Sequence, residues 1–452
     1  MSTETLLAPP AQGLRSPPKV FIEDLPRHLD RPVLLEGWLV AVRRSRSLSF
    51  LVLKDRSGEV QGVCRDELAA SLQGLNPESA LRVQGLARRG RPGPHSAIEI
   101  EVQAIDAVAL AQAPLPLQPG ATEEQRLDHR YLDLRHPRKQ LIFRAQSSLE
   151  AAARGFLLQR GFLELHTPKI TAGGSESGAA VFKLPYFGQQ ACLVQSPQFY
   201  MQMAMAAGMD RVFEVGPVFR AESAQTNRHA TEFTCLDVEQ SWLEDTGALM
   251  DLAEALLREM LSAVRQRHGA EVMRSLDLPV EVPETPIPRL PLALARQLNP
   301  ELAGGRLTHQ AEQLLCKHAR ELSGHSFVFI TDYPAADRPF YTRHRDAASG
   351  QEGQGAPLSC SFDLLWRGME IASGCLREHR HERLQRQAAD AGLDDQALSH
   401  YLQRHYLPMF RHGCPPHGGF GIGLDRLMMA LLGQPSIRET SFVYRGPERH
   451  VP

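Results

Sequence analysis

The stretch Gly216-Pro-Val-Phe-Arg220-Ala-Glu222-Ser-Ala-Gln-Thr-Asn-Arg228-His229-Ala230-Thr-Glu232-Phe233 sets an Arg and a Glu two residues apart at the end of an apolar run. If Val212–Val218 is a strand, side-chain alternation puts Arg220 and Glu222 on one face. The polar connection that follows reads as the tip of an antiparallel hairpin, and Phe233 opens the return strand. A planar, permanently charged guanidinium can grip a carboxylate and a phosphate together. A neighbouring carboxylate can accept from an adenine amino group, and Phe233 offers a stacking face. Near the C-terminus, Gly419-Phe-Gly421-Ile-Gly423-Leu424-Asp425-Arg426 reads as a Gly-rich strand running into a helix that carries a second Arg. Taken singly, Arg220 and Glu222 also fit a surface ion pair, and the glycines an ordinary turn. The ordered set argues for chemistry.

Composition narrows the class. Of 452 residues, 42% are hydrophobic, enough for a sizeable core across two or three domains. Lys and Arg number 50 against 52 Asp and Glu, so bulk charge gives no sign of a nucleic-acid partner. RNA contact would have to come from local runs such as Arg43-Arg44-Ser-Arg46 or Arg88-Arg89-Gly-Arg91, which also fit solvated faces. The seven cysteines form no CxxC pair, which disfavours a structural zinc site and suits a reducing compartment. There is neither a basic-then-apolar leader nor a run of about 18 apolar residues, so the expectation is a cytoplasmic protein without a membrane span or a DNA partner.

Residues 1–18 read as a disordered tail. Five short strands follow, at Val33–Val42, Phe50–Leu53, Val60–Cys64, Leu81–Ala87 and Ala97–Val102, with a turn at Asp55-Arg-Ser-Gly58. Within residues 19–108 they predict a small β-barrel of the OB-fold type. Pro114, Pro116 and Pro119 mark 109–125 as a linker. Residues 126–452 mix helices (Arg138–Arg160, Ser196–Ala207, Thr246–Arg267) with hairpin-joined strands. The predicted class is α+β, with a mainly antiparallel sheet flanked by helices. The Pro-rich 270–325 region reads as an irregular insertion.

The Gly216–Phe233 stretch resembles motif 2 of the class II aminoacyl-tRNA synthetases, within about 212–239. Gly419–Leu432 resembles motif 3, and Gly161-Phe-Leu-Glu-Leu-His-Thr-Pro168 resembles motif 1. Ser196-Pro197-Gln198, Arg338-Pro-Phe-Tyr and Met369-Glu370-Ile-Ala-Ser373-Gly374-Cys-Leu-Arg377 are similar to the archaeal-type aspartyl enzymes. The resemblance implies activation of L-aspartate by ATP with Mg²⁺ and transfer to tRNA-Asp, with tRNA-Asn open as a second acceptor, by a homodimer joined through motif 1. It implies that Arg220 bridges the α-carboxylate and α-phosphate, Glu222 accepts from adenine, and Phe233 and Arg426 sandwich the base. Arg228 and His229 would meet the outer phosphates, with Ala230, Gly423, Leu424 and Asp425 completing the ATP site. Glu370 and Ser373, with Asp363 as a weaker candidate, would hold the metal. Glu176 and Gln198 would hold the α-amino group, and Ser373 would also face the amino acid. Arg377 would grip the side-chain carboxylate, although it sits in a charged run that also fits a surface. In the barrel, Phe50 would stack on the central anticodon base and Gln61 would hydrogen-bond another. A barrel-core role for Phe50 stays open.

The pattern breaks at one place. The aspartyl enzymes carry Lys where this chain has Met201, and losing one of two cations beside a buried carboxylate costs several kcal/mol. Met201 is then expected to wall the amino-acid pocket, leaving Arg377 as its only evident cation. Gly174-Ser-Glu176-Ser177-Gly178 and the tail after Thr440 also differ from the family's pattern. Gly90-Arg-Pro-Gly93-Pro-His95 offers few groups able to reject a wrong third anticodon base. Three readings follow: an aspartyl-type ligase, an asparaginyl-type or paralogous enzyme for another amino acid, and a non-catalytic RNA-binding regulator.

Overall fold

The computed structural model describes residues 17–44, 48–90, 97–173, 180–223, 226–298, 307–345, 357–391 and 401–451. Glu176, Arg46, Arg91, His95 and the tail 1–16 lie outside that set. The chain forms two compact units, Met1–Gln140 and Leu141–Pro452.

The first unit is built on a closed barrel of β1 (Pro32–Arg44), β2 (Leu48–Lys54), β3 (Glu59–Arg65), β4 (Ala80–Arg89) and β5 (Ile98–Ala109), in the order β1-β2-β3-β5-β4. Period-2 alternation fills it: Val33, Leu35, Leu51, Leu53, Val60, Cys64, Val83 and Ile100 point inward. The predicted turn after β2 is an Asx turn, in which Asp55 Oδ1 accepts from the Ser57 and Gly58 amides. Parity sends Phe50 and Gln61 the other way. Phe50 pairs with Arg43 and Val63 and is absent from the barrel core, so a packing role inside the barrel does not apply. Gln61 is the cross-strand partner of Val52 on that same outward face.

The second unit is an eight-stranded sheet in the order β12-β13-β14-β15-β16-β11-β10-β6. These strands are β6 (Leu163–Glu164), β10 (Arg211–Phe219), β11 (Glu232–Ser241), β12 (Arg289–Pro291), β13 (Phe327–Thr331), β14 (Ser361–Trp366), β15 (Met369–Leu376) and β16 (His417–Gly423). A small sheet of β7 (Ile170–Thr171), β8 (Lys183–Tyr186) and β9 (Gln189–Leu193) lies outside it. Pairings are antiparallel except β10 with β6 and β12 with β13. The helices Pro137–Gln159 and Thr246–Leu276 cover one face of the sheet, and Phe213, Leu236, Phe362, Phe420 and Ile422 pack in the common core.

The described parts of the 270–325 region, 270–298 and 307–325, are not irregular. The helix begun at Thr246 runs on to Leu276, β12 follows, and two helices occupy Leu292–Leu298 and His309–Ser323. Prolines between Pro279 and Pro291 break the first helix, and their density obscured what comes after. Ala311, Leu315, Cys316 and Ala319 form the buried stripe of the last helix, packing with Val328 and Ile330 of β13. The region thus completes the sheet's far edge.

Candidate active site

The face of the sheet opposite the long helices holds a cavity of about 390 Å³. Its floor follows from the glycine spacing of β16. Gly419, Gly421 and Gly423 share one face of the strand, while Phe420 and Ile422 share the other and enter the core. A Cβ on Gly419 would lie 2.1 Å from Glu239 Oε2, and one on Gly421 would lie 2.9 Å from Asp237 Oδ1. Absent side chains on β16 therefore make room for carboxylates on β11. Register aligns Glu239, Gly419 and Cys375 in one row and Asp237, Gly421 and Ser373 in the next. Gly423, opposite Cys235, then hands the chain to the helix Leu424–Leu432 that carries Arg426.

Thirteen predicted residues line this cavity: Gln198, Arg220, Glu222, Arg228, His229, Ala230, Phe233, Glu370, Ser373, Arg377, Gly423, Asp425 and Arg426. The β10–β11 hairpin delivers the motif-2 group. Val218 pairs with Phe233, and the Arg220 amide continues the ladder to Thr231 O at 2.9 Å. The Arg220 guanidinium lies 5.4 Å from the Phe233 ring, and its buried Nε has no hydrogen-bond partner. Such an orphaned donor inside a cavity fits an anionic ligand. Arg426 donates from Nε to Arg228 O at 3.2 Å and sets Nη1 4.0 Å from Glu370. Burial holds His229 below the usual imidazole range, with Arg426 adding to the effect.

Four expectations need correction. Leu424 packs in the hydrophobic core, so it offers the cavity no side chain. Asp363 is not available to a metal, because Arg338 holds both its oxygens at 2.9 and 2.7 Å. Met201 is fully buried with Ala204, Met205 and Val212, and does not line the cavity. Its apolar chain fills the seam between the helix Gln198–Ala206 and β10, so it is not a pocket wall. Arg377 is also not the pocket's one cation, since Arg338 lines it too.

Arg377 itself is no surface residue. It is 4% exposed and grips Glu239 with two bonds of 3.1 Å, Nε to Oε1 and Nη2 to Oε2. Burial pushes the Glu239 carboxyl up, and Arg377 opposes that push.

Asp237 was missed. Burial pushes its carboxyl up to about 6, while Cys235 and Gln198 hydrogen-bond to it. The neighbouring buried Gln198 Oε1 has no partner. Two acceptors side by side fit an ammonium group. Parity from Phe233 through Cys235 to Asp237 carried the signal.

Glu370, beside Ser373, is raised to about 7, chiefly by burial and then by Asp363. A divalent cation would favour its charged form. Among the described residues no group of three or more His, Cys, Asp or Glu side chains could hold a metal alone, so phosphate oxygens would have to complete the shell.

A glycine-floored antiparallel sheet with one arginine from a hairpin and another from the following helix defines a class II aminoacyl-tRNA synthetase. Comparison with known sequences agrees: residues 122–443 match the family of class II tRNA synthetases (D, K and N), and 33–108 match the OB-fold nucleic acid binding domain. The chain belongs to that synthetase family and is an ATP-using aminoacyl-tRNA ligase.

It is 36% identical to the aspartate–tRNA(Asp/Asn) ligase of Aeropyrum pernix over 433 residues, covering 92% of this chain and 94% of that one. It is also 36% identical to the aspartate–tRNA(Asp) ligase of Pyrococcus horikoshii, over 93% and 96%. Among solved structures, asparaginyl-tRNA synthetase of Pyrococcus horikoshii with asparaginyl-adenylate superposes with a TM-score of 0.85. It is 28% identical and covers 96% of this chain and 99% of that one. Among the described residues no helix is long and apolar enough to cross a membrane.

Asp425 gives a pH test. Burial lifts it from the ordinary 3.8 to about 6, while the Thr234 amide and the Ser441 hydroxyl hydrogen-bond to it. A raised acid favours the folded state at low pH, and that contribution fades as pH rises through the folded value. Between about pH 4 and 6, Asp425→Asn should flatten the pH dependence of the urea midpoint of the ligand-free protein. Parallel profiles for wild type and variant would contradict this assignment.

Proposed function

We propose that this chain activates L-aspartate with ATP and transfers it to tRNA-Asp, with tRNA-Asn as a second acceptor. The carrying observation is Arg377, a fully buried guanidinium at the Gly419 row of the cavity. Gly423, where the Arg426 helix begins, is four residues further along β16, roughly 13 Å away. That span suits an amino acid at one end and a nucleotide at the other. Asp237 and Gln198 receive the α-ammonium. Arg377 meets the side-chain carboxylate, and Arg220 holds the α-carboxylate against the α-phosphate. Phe233 and Arg426 take the base, Glu222 accepts from its amino group, and Arg228 and His229 meet the outer phosphates.

The nucleophile is already a carboxylate, so no side chain need act as a base. Its oxygen bonds to the α-phosphorus while the bond to the β-phosphate oxygen breaks, and pyrophosphate leaves with that electron pair. Next, a terminal ribose hydroxyl of tRNA attacks the carbonyl carbon, its proton passes to the adenylate's phosphate, and the bond from the carbonyl carbon to the phosphate oxygen breaks so that AMP departs with that electron pair. The protein contributes position and charge neutralisation. Mg²⁺, when bound at Glu370 and Ser373, would neutralise phosphate charge. Seven free thiols suit a cytoplasmic setting.

A second reading rests on Glu239. It balances Arg377, as Asp363 balances Arg338, so a neutral amide could accept from Arg377 and donate to Glu239. Pyrophosphate exchange with aspartate, asparagine and other amino acids separates the two. Aspartate-dependent exchange supports the first reading, and exchange with asparagine alone replaces it. Arg220→Ala and Arg426→Ala should each lower exchange by about 3–5 kcal/mol of transition-state stabilisation while leaving unfolding midpoints in place. Near-normal exchange in either variant would remove that arginine's role.

Phe50 and Gln61 read the anticodon in this scheme, with Phe50 supplying a stacking face. Phe50→Ala should weaken tRNA charging by about 1–3 kcal/mol and spare the exchange reaction. Equal loss in both reactions would remove the anticodon role of Phe50.

A homodimer is proposed through motif 1. Edge strand β6 carries Leu163, which is exposed together with Leu158 and Ile170, a combination that suits pairing with a second copy. Sedimentation at micromolar concentration should give twice the chain mass, and a stable monomer would exclude this arrangement.

A further inference from the structure

Arg228 lines the cavity, yet its guanidinium is held from behind. Nη1 donates to Glu312 Oε2 at 2.9 Å, and Nη2 donates to Gly368 O at 2.9 Å and to His309. Glu312 and His309 belong to the first turn of the helix His309–Ser323, in the region whose order was not expected. Glu312 does not line the cavity. The loop backbone is fixed by other bonds: Ile437 N donates to Asn227 O at 2.8 Å, Arg426 Nε to Arg228 O at 3.2 Å, and Thr231 N to Arg445 O at 3.0 Å. Glu312 therefore acts on where the Arg228 side chain points, while the loop's path is set elsewhere.

We propose that Glu312 is a positioning residue that competes with the polyphosphate for Arg228. The guanidinium passes from carboxylate to phosphate when ATP binds, and returns when pyrophosphate leaves. This rests on the reading that Arg228 meets the outer phosphates.

A polyphosphate carries more charge than one carboxylate and offers the fork two oxygens, so it prevails while bound. Once vacated, Glu312 is not stranded. It sits at a helix N-terminus, where the exposed amides favour an anion, and Arg426 adds positive charge nearby. Burial also pushes its carboxyl up, so taking a proton is a second route. On product departure, Glu312 offers Arg228 a partner at once, so pyrophosphate does not leave a bare cation behind. The device trades ground-state affinity for turnover.

The test is steady-state exchange and charging kinetics on the full chain, with inorganic pyrophosphate as inhibitor. Glu312→Gln, close in shape and uncharged, should lower the KM for ATP and the inhibition constant for pyrophosphate by about three- to tenfold. It should also lower kcat for charging, because release slows. Glu312→Asp keeps the charge and should recover pyrophosphate sensitivity near wild type. His309→Gln removes a different partner of Arg228 and should shift both constants the same way, by less. Unchanged constants in an active Glu312→Gln overturn the proposal, and so does a raised KM for ATP, which would make Glu312 a strut that pre-sets Arg228 for binding. Arg228→Ala separates the two ideas: if it leaves the KM for ATP unchanged, the phosphate role of Arg228 fails, whatever Glu312 does.

Discussion

Arg377 and Glu239 meet where solvent is excluded, and much of the site depends on that contact. Two charges in such a place are costly unless the geometry is good and the remaining hydrogen-bonding positions are filled. Here the guanidinium fork lies across both carboxylate oxygens. The Arg377 amide ties to His417 O at 2.9 Å, which anchors the residue's backbone to β16. His417 beside it stays neutral, because burial holds its ring down at about 3. A charged imidazole there would repel Arg377. The pair also requires Gly419, since any side chain would sit on the Glu239 carboxylate.

The glycines of β16 therefore act as a mould. Each omitted side chain admits one polar group from a neighbouring strand, and each intervening Phe or Ile anchors the strand to the core. Function and packing divide between the two faces of a single strand. Arg377 with Glu239 and Arg338 with Asp363 form balanced pairs, whereas Arg220 keeps an unmatched buried donor. In the proposed scheme, charge is thus neutralised in advance around Arg377 and left available at Arg220.

Most of this was legible in the chain. Short strand-like runs separated by turn signals foretold the barrel strands, and the ordered motifs pointed to Arg220, Phe233, Glu370, Arg377 and Arg426, which the cavity brings together. Local patterns failed where a residue's role depends on a distant neighbour. Asp363 looks like a metal ligand until Arg338 is found on it. Met201 looks like a pocket wall because its neighbour Gln198 faces the cavity, but an apolar side chain goes where a seam needs filling. Asp237 was hidden because an acid inside an apolar strand announces no role until the facing glycine is seen. In 270–325, prolines masked a stripe at Ala311, Leu315 and Ala319 that is plain once the preceding turn is set aside.

The last stretch of the chain bears on how the site comes into being. Ile437, Tyr444 and Arg445 bond to the backbone of Asn227, His229 and Thr231, and Ser441 bonds to Asp425. The loop at 227–231 is therefore strapped down by residues some two hundred positions later in the chain. Loosening that strap would free the loop while leaving the β10–β11 hairpin, which is held by its own ladder, in place.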